Sequence, residues 1–82
     1  MEYRRVNVAV DAHFDVEGML LPRFMTWEDG TVFEIDRVLE ARRAASLKAG
    51  GIGTRYTVRI QGKERYLYFE DPTWFVEVPV IH

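Results

Sequence analysis

The sequence predicts an all-β domain, built as one small, strongly bent antiparallel sheet or barrel. Three observations carry that expectation. Val6, Val8 and Val10 alternate with Arg5, Asn7, Ala9 and Asp11, the period of a half-buried strand. Asp29-Gly30 and Gly62-Lys63 stand between strand-like runs, where hairpins place residues that tolerate positive φ. Short runs of strand formers, each bounded by turn residues, recur along all 82 residues.

The first strand continues to about Phe14, and Asp15 to Gly18 reads as a turn. Leu20 to Trp27 forms the second strand, with Pro22 marking an edge position or a bulge. A two-residue type I′ turn at Asp29-Gly30 sets Phe24 against Ile35 and Arg23 against Asp36. That register puts Leu20, Phe24, Phe33, Ile35 and Leu39 on the core face. It leaves Leu21, Met25, Trp27, Val32 and Val38 on the other, as a candidate interface covered by curling or by a partner.

The strand pattern runs on through Ile35 to about Arg42, followed by a loop with one short helical turn near 44–49. The composition of 37–49 also allows a full helix from Asp36 to Gly50, although no apolar stripe accompanies it. Arg55 to Gln61 and Glu64 to Glu70 make a second hairpin, turning at Gln61-Gly62 or Gly62-Lys63. Either turn points Tyr56, Val58, Ile60, Leu67 and Phe69 inward, and Arg55, Thr57, Arg59, Gln61, Tyr66 and Tyr68 outward. Asp71-Pro72 turns the chain into a last strand with Trp74, Val76 and Val78. Five to six short strands of this kind fit an SH3-like or OB-like barrel, whose closure removes exposed edges.

Trp27-Glu28-Asp29-Gly30, Arg55-Tyr56-Thr57-Val58 and Leu67-Tyr68-Phe69-Glu70 with Trp74-Phe75 resemble motifs of small bacterial β-barrel-like proteins, a domain of unknown function. In these a W-x-D-G hairpin, an R-Y-x-V strand and a closing W-F strand recur. The resemblance spans roughly Phe14 to Val78 and implies a fold and a bacterial origin. It implies no catalytic residue.

Composition narrows the function. With no cysteine, disulfides and thiolate metal sites are excluded. No apolar run is long enough to span a bilayer, and the N-terminus leads straight into strand residues, which predicts a cytoplasmic protein without a membrane partner. Net charge is sorted as −5 over residues 1–41, +6 over 42–63 and −3 over 64–82. A basic stretch in an otherwise acidic chain marks a surface that meets something anionic.

Arg42, Arg43, Lys48, Arg55 and Arg59, with Tyr66 and Tyr68 on the same sheet face as the last two, form the candidate anion or nucleic-acid surface. Single-stranded nucleic acid binders track phosphates with cations and stack bases on rings. The same arginines can instead pair with acids of this or another subunit. Gly50, Gly51 and Gly53 lack the order of a phosphate-binding loop and read as a flexible connection.

Asp11, His13 and Asp15 share one strand face at steps of about 7 Å, a spacing open to metal or acid–base chemistry. That face is the solvent side of the Val6–Val10 pattern, so solvated alternation is the preferred reading. Ser46 is the only serine and His82 is terminal, so nucleophilic catalysis has little support. Trp27 and Trp74 read as packing or interface anchors. The expectation is a non-enzymatic domain without cofactor or metal, acting as a homo-oligomer or on a partner protein. A nucleic-acid module is the alternative.

Overall fold

The computed structural model describes residues 2–45 and 52–81. Among these residues seven strands form a single sheet: β1 (Tyr3–Phe14), β2 (Leu20–Thr26), β3 (Val32–Glu34), β4 (Arg37–Ala45), β5 (Ile52–Ile60), β6 (Lys63–Glu70) and β7 (Thr73–Pro79). No helix occurs among the described residues. Every pairing is antiparallel, in the order β3-β2-β1-β7-β6-β5-β4. The sheet curls strongly into a half-barrel around an apolar interior.

The strand count exceeds the expected five to six because one expected strand is two. The run from Val32 to Arg42 breaks at Ile35-Asp36, where the chain changes neighbour. Ile35 N donates to Arg23 O at 2.8 Å, and Asp36 N donates to Arg59 O, also at 2.8 Å. This pair of residues therefore bridges the two ends of the curl. β4 then runs on to Ala45, so positions 44 and 45 of the expected helical turn are strand, and 46–49 lie outside the described residues. A helix from Asp36 is ruled out by the same pairing of β4 with β5.

The first hairpin corrects the expected register by one residue. Asp29 does not take positive φ, which a type I′ turn requires; Gly30 does, at 90°. Gly30 N donates to Trp27 O at 2.9 Å and Trp27 N to Thr31 O at 2.7 Å, closing a three-residue loop. Asp29 Oδ1 braces it by accepting from Thr31 N at 2.9 Å. Met25 thus faces Phe33, and Phe24 faces Glu34.

Two bulges then decide which side chains enter the core. Opposite Asp11 and Ala12, β2 carries an extra residue, Arg23, so Pro22 and Met25 both point inward. In β4, Leu39 is skipped between Val38 and Glu40, so Val38 and Ala41 both face the core. Phe24 and Leu39, expected inside, are instead 38% and 37% exposed. Leu20, Phe33 and Ile35 are inside as expected. Of the candidate interface row, Met25 is a core residue, Trp27 and Val38 pack on the core, Leu21 is half-buried and Val32 is exposed.

The β5–β6 hairpin follows the sequence pattern. Gln61 and Gly62 take φ of 52° and 77°, the two positive values of a two-residue loop, and Ile60 pairs with Lys63. Tyr56, Val58, Ile60 and Leu67 are buried, with Phe69 packed beside them. Trp74 lies 5.3 Å from Tyr56 and 4.6 Å from Phe69, ring centre to ring centre. Tyr56 OH donates to Leu20 O at 2.5 Å, tying β5 to β2 across the interior.

Candidate binding cleft

β6 and β7 part company along their length. They pair only at Glu70–Thr73, Phe69–Trp74 and Tyr68–Phe75. Beyond Phe75, β7 stays with β1 through Val76–Val6 to Pro79–Tyr3. Before Tyr68, β6 stays with β5 through Leu67–Tyr56 to Lys63–Ile60. Each strand keeps its outer neighbour, so a cleft of about 670 Å³ opens between them. Val58, Ile60 and Leu67 line it from β5 and β6, Val76 and Val78 from β7. Met25, Trp27 and Phe33 of the first hairpin complete the apolar wall.

Lys63 and Arg65 stand at this cleft, opposite Ile60 and Val58 respectively, and hence on the inward side of the sheet. Neither has an ion-pair partner among the described residues. Glu64, between them, points to the other face, where Arg59 Nη2 is 3.9 Å from its Oε2. The cleft thus combines an apolar wall with the two cations Lys63 and Arg65, and the carboxylates Glu64 and Glu77 also line it. The signal was present in the sequence: continuing the inward parity of Phe69 and Leu67 places cations at 65 and 63, where a covered strand would carry apolar residues.

The outer face carries a stacked ladder. Cross-strand pairing sets Asn7 by Phe75, Phe75 by Tyr68, Tyr68 by Arg55 and Arg55 by Arg42. Tyr68 and Phe75 stack at 5.2 Å with planes 8° apart. Arg5 Cζ caps the Phe75 ring at 3.9 Å, and Arg55 Cζ lies 4.5 Å from the Tyr66 ring centre. Arg5 also donates through Nε to Asn7 Oδ1 at 3.0 Å and reaches Glu70 Oε1 at 3.4 Å. Tyr68 is only 4% exposed. Burial first, and then the neighbouring Glu77 carboxylate, push its hydroxyl above the ordinary value.

The basic stretch is accordingly dispersed. Arg42 Nη1 is 3.9 Å from Glu40 Oε1, and Arg59 is beside Glu64. Arg43, paired with Thr54, lies on the opposite face from Arg42. Lys48, Gly50 and Gly51 lie outside the described residues. Gly53 has a packing reason: a Cβ there would sit 2.6 Å from Phe69 O. Arg55 and Tyr66 do share a face with Tyr68, but the guanidinium already occupies one side of the Tyr66 ring.

Asp11 and His13 are exposed, while Asp15 Oδ1 accepts from Glu17 N at 2.9 Å and Met19 N at 2.8 Å, shaping its own turn. No cluster of three metal-ligating side chains occurs among the described residues. Ser46 and His82 lie outside them.

A scan against protein-family models, a search of curated proteins and a search of solved structures each found no match to this chain.

Proposed function

We propose that this chain is a non-catalytic protein-binding domain whose β6–β7 cleft receives an apolar, acid-flanked segment of a protein partner. The observation that carries this reading is the early end of β6–β7 pairing at Tyr68–Phe75, which leaves an apolar wall open beside Lys63 and Arg65. Clefts of roughly 300–1,000 Å³ with a few placed polar groups are the usual form of a binding site. A strand adding along the opening is disfavoured, because inward-pointing charges obstruct edge pairing. Side chains entering from the mouth are not so obstructed. The outer face supports nucleic acid less well: Tyr68 is buried, and the Arg5 and Arg55 guanidinium groups already lie on rings.

A randomised peptide library displayed on phage and panned on the immobilised domain tests the reading. Enriched peptides should combine large apolar residues with Asp or Glu. Val78→Glu in the cleft should abolish their binding, and Thr57→Glu on the outer face should leave it intact. No enrichment, or enrichment indifferent to Val78→Glu, would overturn it.

A further inference from the structure

We infer that the cleft's partner is the β1–β2 turn of a second copy of this chain, giving head-to-tail assembly; this rests on the reading of the cleft above. The turn is a built knob. Asp15 N donates to Met19 O at 2.9 Å and Gly18 N to Asp15 O at 3.0 Å, on top of the two bonds to the Asp15 carboxylate. Gly18 supplies the φ of 85° that the loop needs. This frame holds Phe14 at 71% exposure, Met19 at 46% and Val16 wholly in solvent. Clustered apolar side chains of this kind mark a contact surface. The acid Glu17, in the same turn, accompanies them.

The knob cannot reach the cleft of its own molecule. Tyr3, which lines the cleft, begins the same 12-residue strand that Phe14 ends. At about 3.3 Å per residue the two are roughly 35 Å apart along the strand, in a molecule 44 Å long. A second copy can supply what the first cannot reach.

Size and charge fit. A cavity of about 150 Å³ takes a benzene-sized group, so about 670 Å³ has room for the Phe14 ring and the Val16 branch together. Lys63 and Arg65 then meet Glu17. Of the carboxylates that also line the cleft, Glu64 lies 3.9 Å from Arg59 and Glu77 lies by Tyr68. The contact is heterologous, so it produces rings or filaments according to its rotation. Three exposed side chains are a small part of the ~800 Å² per partner of a standard interface, so association is micromolar or weaker.

Sedimentation velocity across a concentration series tests this with two double variants. Phe14→Ser/Val16→Lys removes the knob and keeps the cleft; Lys63→Glu/Arg65→Glu spoils the cleft and keeps the knob. All four positions are exposed, so both variants should fold, as circular dichroism would verify. Wild-type protein should associate with rising concentration, and less so in high salt. Each variant alone should bind at least tenfold more weakly. Their equimolar mixture should form a one-to-one dimer and grow no further. A wild type that stays a monomer at about millimolar concentration, or a mixture that stays monomeric, overturns self-docking. If library peptides still fill the cleft of a monomeric wild type, only the identity of the occupant was wrong; if nothing fills it, the binding reading falls too.

Discussion

Tyr56→Phe is the sharpest probe of what holds the half-barrel in its curl. The substitution keeps the ring, and with it the 5.3 Å contact to Trp74, and removes only the hydroxyl that donates to Leu20 O. That bond joins β5 to β2, strands that are not neighbours in the sheet. A neutral hydrogen bond contributes about 0.5–1.5 kcal/mol net, and a carbonyl stranded indoors costs somewhat more, so the loss should be about 1–2 kcal/mol. For a domain of this size that lowers Tm by about 4–16 °C. Urea denaturation at pH 7, followed by Trp fluorescence, measures it.

The pH dependence gives a second handle. Burial raises the Tyr56 hydroxyl above its ordinary pKa of 10.0. A group with a raised folded pKa contributes fully below its unfolded value, and the contribution fades as pH climbs through the folded value. Wild type should therefore weaken from about pH 10 upward, and the gap to Tyr56→Phe should narrow toward pH 11. Tyr68, also raised, is present in both proteins and cancels. A gap within experimental error at pH 7 would refute the cross-barrel tie. A gap unchanged at high pH would refute the raised hydroxyl.

Three further substitutions probe the scaffold by equilibrium unfolding. Gly53→Ala should cost about 1–3 kcal/mol, because its Cβ would press on the Phe69 carbonyl and part β5 from β6; an unchanged midpoint would show that the strands separate freely. Gln61→Gly should stabilise by about 0.5–1 kcal/mol, since Gln61 holds a φ of 52° that glycine adopts without strain; a lower midpoint would count against that account. Leu67→Ala, at a residue 1% exposed on the cleft floor, should cost about 2–5 kcal/mol, and a loss well below that would mean the cleft collapses to fill the space.

Much of the fold was legible because alternation and turn chemistry agree. Val6–Val10, the Gln61-Gly62 loop and the inward set of β5 and β6 all follow from period two. What was not legible turns on single residues. The Asp29-Gly30 loop holds three residues rather than two, because the Asp29 carboxylate caps Thr31 N while Gly30 alone takes positive φ. One residue of slip exchanges the faces of a strand. The bulges at Arg23 and Leu39 exchange them again, so Phe24 and Leu39 left the core and Met25 entered it. Pro22 announced the first bulge; nothing in the sequence around Leu39 announced the second.

The charge sorting that stands out in the sequence does not gather into one surface in the fold. Folding sends Arg42 and Arg43 to opposite faces, sets Arg59 against Glu64 and lays Arg55 on Tyr66. A linear cluster of cations thus becomes scattered ones, because strand parity divides what sequence adjacency joins. Broken parity carries more. Lys63 and Arg65 are cations where an inward strand position calls for apolar residues, and they stand at the one place where β6 lacks β7. Phe14 and Val16 are apolar at a turn, and they stand 71% exposed and wholly in solvent, respectively, among the described residues. A chain that violates its own pattern once inward and once outward, with opposite chemistry, has the makings of a plug and a socket. The two sit too far apart to satisfy each other within one molecule.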